Sequence, residues 1–255
     1  MDAGTDFSGH HRNHAATDAT INEHFKRMLF DLSPTKVWSL IMNRISISVI
    51  AAIAIVAGCS RPGIHGDGLI TTEDRPISAF SKLVVTGGYE IIWSSGKPAL
   101  TISADQNLLP LVETVISGNA LRIDSKEELA PTKGIKIILS SPALEDVQLT
   151  GAVSFKASQI SGQDLKLEAT GASEISIEGS VTNLEADLTG ASKLSATSLE
   201  TQAATLSLIG ASEADVTVTD RLKASVTGAS SITYAGNPKS VEKNVVGAGS
   251  IQNRP

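Results

Sequence analysis

One cysteine, Cys59, stands in 255 residues, so the chain has no internal disulfide and no zinc site built from cysteines. Aromatic residues make up 4% and charged residues 19%. Ala, Ser, Thr, Gly, Val, Ile and Leu dominate, which suits tightly stacked β structure better than a deep catalytic pocket. Basic clusters are missing: 21 Lys and Arg against 27 Asp and Glu leave a net charge of -6. Binding to phosphate backbones needs clustered Lys and Arg, so nucleic acid is excluded as a partner. Histidine is scarce where it would matter. His10, His11, His14 and His24 crowd the first 41 residues, and only His65 follows Cys59. Neither a Ser-His-Asp set nor a metal site is expected, and no cofactor.

Long hydrophobic runs are also lacking. The longest, Ile45 to Val56 ("ISISVIAAIAIV"), has twelve residues, short of the ~20 that span a bilayer but the length of a signal-peptide core. Met42, Asn43 and Arg44 precede it with a start-like Met and a positive charge, and Val56, Ala57, Gly58 and Cys59 follow. That ending resembles a bacterial lipobox, and the resemblance implies that Cys59 is lipidated and becomes the mature N-terminus. Ser60 in place of an Asp implies sorting to the outer membrane. The competing reading, a buried structural cysteine after a hydrophobic helix, leaves the adjacency of run and cysteine unexplained. Residues 1–41 are then a non-native or disordered leader, with a cytoplasmic tail as the alternative. Residues 42–58 are a lipoprotein signal peptide, 59–66 a lipidated N-terminus and tether, and 67–253 a single domain.

That domain is dominated by a repeat. "TGAV" at Gly151, "TGAS" at Gly171 and Gly190, "IGAS" at Gly210, "TGAS" at Gly228 and "VGAGS" at Gly247 are spaced by 20, 19, 20, 18 and 19 residues. Apolar residues precede Gly171, Gly190, Gly210 and Gly228 by two, four and six positions, as with Leu188, Ala186 and Leu184. They reappear four and six positions after each, as with Ile175 and Ile177. This period of two marks strands with one dry face, so each unit reads as strand, corner, strand. Coils of about 19 residues that cannot bury an apolar side alone are expected to stack as a parallel β-solenoid. Glycine supplies the corner, where positive φ costs it nothing. A hydroxyl ladder of Ser173, Ser192, Ser212 and Ser230 facing a ligand is the functional alternative to packing.

Upstream, "KLVVTGGYEIIW" repeats the pattern with its corner at Gly87, and "ALTISA", "NALRID" and "GIKIIL" alternate. "DQNLLPLVETV" is expected to open on a helical turn that Pro110 ends or redirects. The segments "GDGLITTEDRPISAFSKLVVTGGYEIIWSSG", "LTISADQNLLPLVETVISGNALRID", "IKIILSSPALEDVQLTGA" and "VVGAGSI", in that order, resemble the head GIN domain family of auto-transporter adhesins, from about Gly66 to Ile251. The resemblance implies a right-handed parallel β-helix on an exported or lipid-anchored bacterial protein.

No Asp, Lys and Arg gather at one place in the unit. Glu174, Lys193 and Glu213 share the slot three after their glycines, which reads as pairing between coils. Tyr89 and Trp93 fall on one side of a strand and are the candidate contact for a ligand, against capping or core packing. The sequence therefore points to a non-enzymatic, lipid-anchored envelope protein with an adhesin-like module. Its expected partners are the membrane, through Cys59, and an envelope protein or glycan. The alternatives are a carbohydrate-binding or carbohydrate-active β-helix and an envelope assembly or stress accessory.

Overall fold

Residues that alternate apolar with polar, and are small or β-branched, satisfy their backbone groups most readily in a sheet. The computed structural model describes residues 63–254; the leader, the signal segment, Cys59 and the tether through residue 62 lie outside the described residues. The chain runs through β1 (Ile64–His65), β2 (Ile70–Arg75), β3 (Lys82–Gly87), β4 (Tyr89–Ser95) and β5 (Ala99–Asp105). A 3-10 turn (Leu109–Leu111) leads to β6 (Val112–Ser117), β7 (Ala120–Ser125), β8 (Leu129–Ala130), β9 (Ile135–Ser141) and β10 (Asp146–Gly151). The repeat proper is β11 (Ser154–Gly171), β12 (Glu174–Gly190), β13 (Lys193–Gly210) and β14 (Glu213–Gly228). It closes with β15 (Ser231–Ala235), β16 (Ser240–Gly247) and β17 (Ser250–Asn253).

Fifteen strands form one sheet, coiled as a parallel β-solenoid of stacked rungs. One ladder, leading into the corners, stacks β7, β3, β10, the second halves of β11 to β14, and β16. The other, leaving the corners, stacks β9, β4, the first halves of β11 to β14, β15 and β17. The dry face is as expected: Leu167, Ala169, Ile175, Ile177, Leu184, Ala186 and Leu188 are all buried. Two features of the unit differ from two short strands. Each of β11 to β14 is continuous over 16 to 18 residues, and it bends in the middle at register shifts such as Ala157/Ile160 and Ser176/Glu178. The bend carries further buried residues in two rows, Ile160 and Leu199 in one and Val181, Thr201 and Val218 in the other.

The corners explain the Gly-Ala-Ser signature atom by atom. All seven corner glycines, Gly87, Gly151, Gly171, Gly190, Gly210, Gly228 and Gly247, have φ between 96° and 136°. The carbonyls of the first six accept from the alanine N–H of the next rung, as in Ala191 N to Gly171 O at 2.8 Å and Ala211 N to Gly190 O at 2.8 Å. The serine hydroxyl of that rung donates to the same oxygen, Ser192 Oγ to Gly171 O at 3.3 Å and Ser212 Oγ to Gly190 O at 3.3 Å. Ser192 Oγ also accepts the N–H of Ser173 at 3.3 Å.

At the N-terminal end the spatial order departs from the sequence order. The outermost rung is made by β7 and β9, which follow β3 and β4 in the chain but lie outside them. Antiparallel strands then cover that rung: β6 on β7, β5 on β9, and β2 on β5. An uncovered rung would present unpaired backbone and the end of the core, which repeat proteins close with an atypical cap. The 3-10 turn has Pro110 in its first positions, so Pro110 starts the turn instead of ending it; its missing N–H is no loss there.

Asp105 ties the cap together. Its buried carboxylate accepts from Gly68 N at 2.9 Å, Thr132 N at 2.9 Å and Thr132 Oγ1 at 2.7 Å. The Thr132 hydroxyl, ahead of the backbone N–H groups, holds its carboxyl below the ordinary carboxylate value. A depressed folded value contributes stability above the unfolded pKa of about 3.9, and the contribution is lost as pH falls through the folded value. Acid titration followed by circular dichroism should therefore show wild type losing stability below about pH 4. Asp105→Asn should start from a lower melting temperature at neutral pH and lose less on acidification. Parallel acid limbs in the two proteins would contradict this role.

Candidate functional site

The serine ladder does not face solvent. Ser173, Ser192, Ser212 and Ser230 are all buried, and the hydroxyls of Ser173, Ser192 and Ser212 are spent on glycine carbonyls of the neighbouring rung. The aromatic contact proposed from the sequence needs a correction as well. Tyr89 is 3% exposed and Trp93 1%. They do share a face, together with fully buried Ile91, but it is the inward face. Gly87 leaves the room for the Tyr89 ring, whose Cε2 would lie 2.7 Å from a Cβ there, and Ala157 sits across from Trp93 in the next rung. Burial pushes the Tyr89 hydroxyl up from its ordinary pKa. Both rings are core packing at the cap.

What remains available to a ligand are the outward rows between corners. One, five positions before each corner glycine, runs Lys82, Asp146, Lys166, Glu185, Thr205, Lys223, Glu242 from rung to rung. Stacked in register at ~4.8 Å, like charges would repel; here each charge meets an opposite or neutral neighbour. Lys82 pairs with Asp146 at 2.8 Å and Lys223 approaches Glu242 at 3.8 Å. On the other ladder the expected cross-coil pairing is present, with Lys193 Nζ 3.1 Å from Glu213, and that bond raises the Lys193 pKa. Exposed pairs of this kind are screened by solvent and contribute little to stability; they specify register more than they stabilise.

The surface has shallow clefts of about 300 to 330 Å³. One, of about 330 Å³, includes Glu145, Asp164, Lys166, Asn183 and Glu185. Its groups are largely engaged: Asn183 Nδ2 donates to Asp164 at 2.7 Å, and Lys166 pairs with Glu168 at 2.8 Å. Among the described residues no three His, Cys, Asp or Glu side chains converge as metal ligands.

The C-terminal end has a different character. All eight residues of β16 are exposed, and β16 pairs with β14 on one side only. Val241, Lys243 and Val245 continue the inward rows of Leu222, Ala224 and Val226, yet Val241 and Val245 are 37% and 43% exposed. Lys243 reaches over the core end: its Nζ is 4.8 Å from the centroid of the Tyr234 ring and donates to Ile251 O at 3.2 Å. Sequence reading missed this feature, although a Lys at a dry position of the last unit was its signal.

A model of the family described as "Putative auto-transporter adhesin, head GIN domain" matches residues 79–238. Among solved structures, a "putative adhesin" from Bacteroides fragilis is similar at 21% identity and a TM-score of 0.62, over 75% of this chain and 100% of that one. A "putative lipid binding protein" from Parabacteroides distasonis aligns at 22% identity and a TM-score of 0.49, over 75% of this chain and 99% of that one. The first likeness is one of fold. No curated protein sequence matches.

Proposed function

The chain belongs to the head GIN domain family of auto-transporter adhesins, and on that premise we propose that it is a lipid-anchored outer-membrane protein whose solenoid is a non-catalytic interaction module. The observation that carries this reading is the use made of the repeat. Its recurrent polar residues, the corner serines, are consumed in holding rung to rung, and its outward charges pair between neighbouring coils. The result is a stiff, regular display surface. Gly63 lies at the capped end, against the carbonyl of Glu128, and Cys59 is four residues earlier. Four residues reach at most about 14 Å. A lipid on Cys59 therefore keeps the capped end within that distance of the anchor, while the last rung lies about 34 Å from the capped one along the solenoid axis, at seven spacings of ~4.8 Å.

A carbohydrate-binding or carbohydrate-active solenoid is the second reading, and the cleft of Glu145, Asp164, Lys166 and Glu185 is the feature in its favour. The anchor is tested by fractionation: wild type should enter the membrane pellet with an acyl mass on its N-terminal cysteine, and Cys59→Ala should leave it. Equal partitioning of the two proteins would sink the anchor.

A further inference from the structure

The two ends of the solenoid treat the same physical problem differently. At the cap, the chain lays its own antiparallel strands, β6 and β5, on the free edges of β7 and β9. At the other end, among the described residues, no strand covers β16. A free edge offers a row of unpaired N–H and C=O groups to an incoming strand. The side chains of such a strand would alternate between the inward row of Val241, Lys243 and Val245 and solvent.

The geometry points to β16 as a docking edge for an extended segment of a partner protein that presents an acidic residue between two apolar ones, in the pattern apolar-x-acid-x-apolar. Charge complementarity selects this occupant. Lys243 stands in a row that is Ala186, Leu206 and Ala224 in the preceding rungs, all buried. Its contacts are a ring face and one carbonyl, whereas Lys193 and Lys239 have carboxylates at 3.1 and 2.8 Å. A strand paired antiparallel with β16 sets one residue directly opposite Lys243, with the residues two positions to either side near Val241 and Val245. A carboxylate there meets the ammonium, and apolar neighbours cover the valines.

A second copy of this chain does not fit. The inward residues of β16 are Val241, Lys243, Val245 and Gly247, so pairing β16 with itself never places a carboxylate opposite Lys243. An inward-pointing lysine on an edge strand opposes such self-pairing. The same side chain thus discourages self-association and chooses the partner strand.

This deepens the interaction-module reading and rests on it, but the test is separate from the anchor. Purified full chain in detergent micelles is titrated into fluorescein-labelled Thr-Val-Thr-Asp-Thr-Val-Thr, and into the same peptide with Lys for Asp, with anisotropy as the readout. The Asp peptide should bind at least tenfold more tightly than the Lys peptide, and Lys243→Glu should reverse the preference. Failure to bind either peptide, equal binding of both, or a preference that Lys243→Glu leaves unchanged overturns the proposal. So does sedimentation showing that wild type dimerises through β16, which would give the edge to a second copy. The reversal cannot come from misfolding, because a lost rung would weaken both peptides alike. A negative result here leaves fractionation of Cys59→Ala unaffected, so the two readings fail separately.

Discussion

Leu188→Asp is expected to remove the central rungs from the folded structure. Leu188 is fully buried, in register with Ala169 on one side and Leu208 on the other, and both of those are buried too. The substitution loses roughly 2 to 5 kcal/mol of leucine packing. It also places a carboxylate where no described group can pair with it, at several kcal/mol more. Against a total stability of about 5 to 15 kcal/mol for a domain, the sum leaves little. Thermal melts should show a midpoint at least roughly 15 °C lower, or a split into two transitions, because a solenoid broken in the middle retains neighbouring rungs on each side. Asp187→Ala, one position along and outward, is the control and should melt within about 0.5 kcal/mol of wild type. If the two variants exchanged behaviour, the register would be off by one residue.

The second large effect is expected at a corner. Gly190 has φ +109°, and a Cβ there would overlap the carbonyl oxygen of Gly171. That oxygen already accepts from Ala191 N and Ser192 Oγ. Gly190→Val therefore combines about 1 to 3 kcal/mol of backbone strain in a β-branched residue with displacement of a rung that its neighbours hold in place. A loss of about 3 to 5 kcal/mol is expected, read by thermal melting. Hydrogen exchange should place the added opening at Gly171 to Ser192. Gly162→Ala is the matched control: a Cβ at Gly162 has nothing within 4 Å, so the variant should behave as wild type. A Gly190→Val protein as stable as that control would show that the corner has room to yield.

Both expectations come from residues whose roles were readable before any coordinates. The dry rows and the corner glycines follow from periods of two and of about 19, which are local properties of the chain. What escaped sequence reading depends on non-local pairing. Nothing near β7 and β9 says that they lie outside β3 and β4; that order follows from closing an end. Tyr89 and Trp93 read as a contact because they fall on one side of a strand, which alternation alone leaves free to be either face, and the burial of Trp93 follows from a small partner far away in sequence, Ala157. Ile160, Val181, Leu199 and Val218 lie beside the mid-strand bends, where register shifts interrupt simple alternation. The role of Asp105 is likewise invisible in its local sequence, because it depends on Gly68 and Thr132, 37 and 27 residues away, closing around it.

The interleaved first rung has a consequence for how this protein can vary in length. Because β3 and β4 are enclosed between β7 and β9 on one side and β10 and β11 on the other, no coil can be inserted there without rethreading the cap. Between Gly151 and Gly228 each unit meets a near copy of itself above and below, so whole units can be gained or lost by duplication while both ends stay intact. The molecule is a ruler that is extensible at one interior segment only, in steps of about 19 residues of chain and ~4.8 Å of height. The length of the solenoid can therefore change in relatives without any change to the cap or to the last rung.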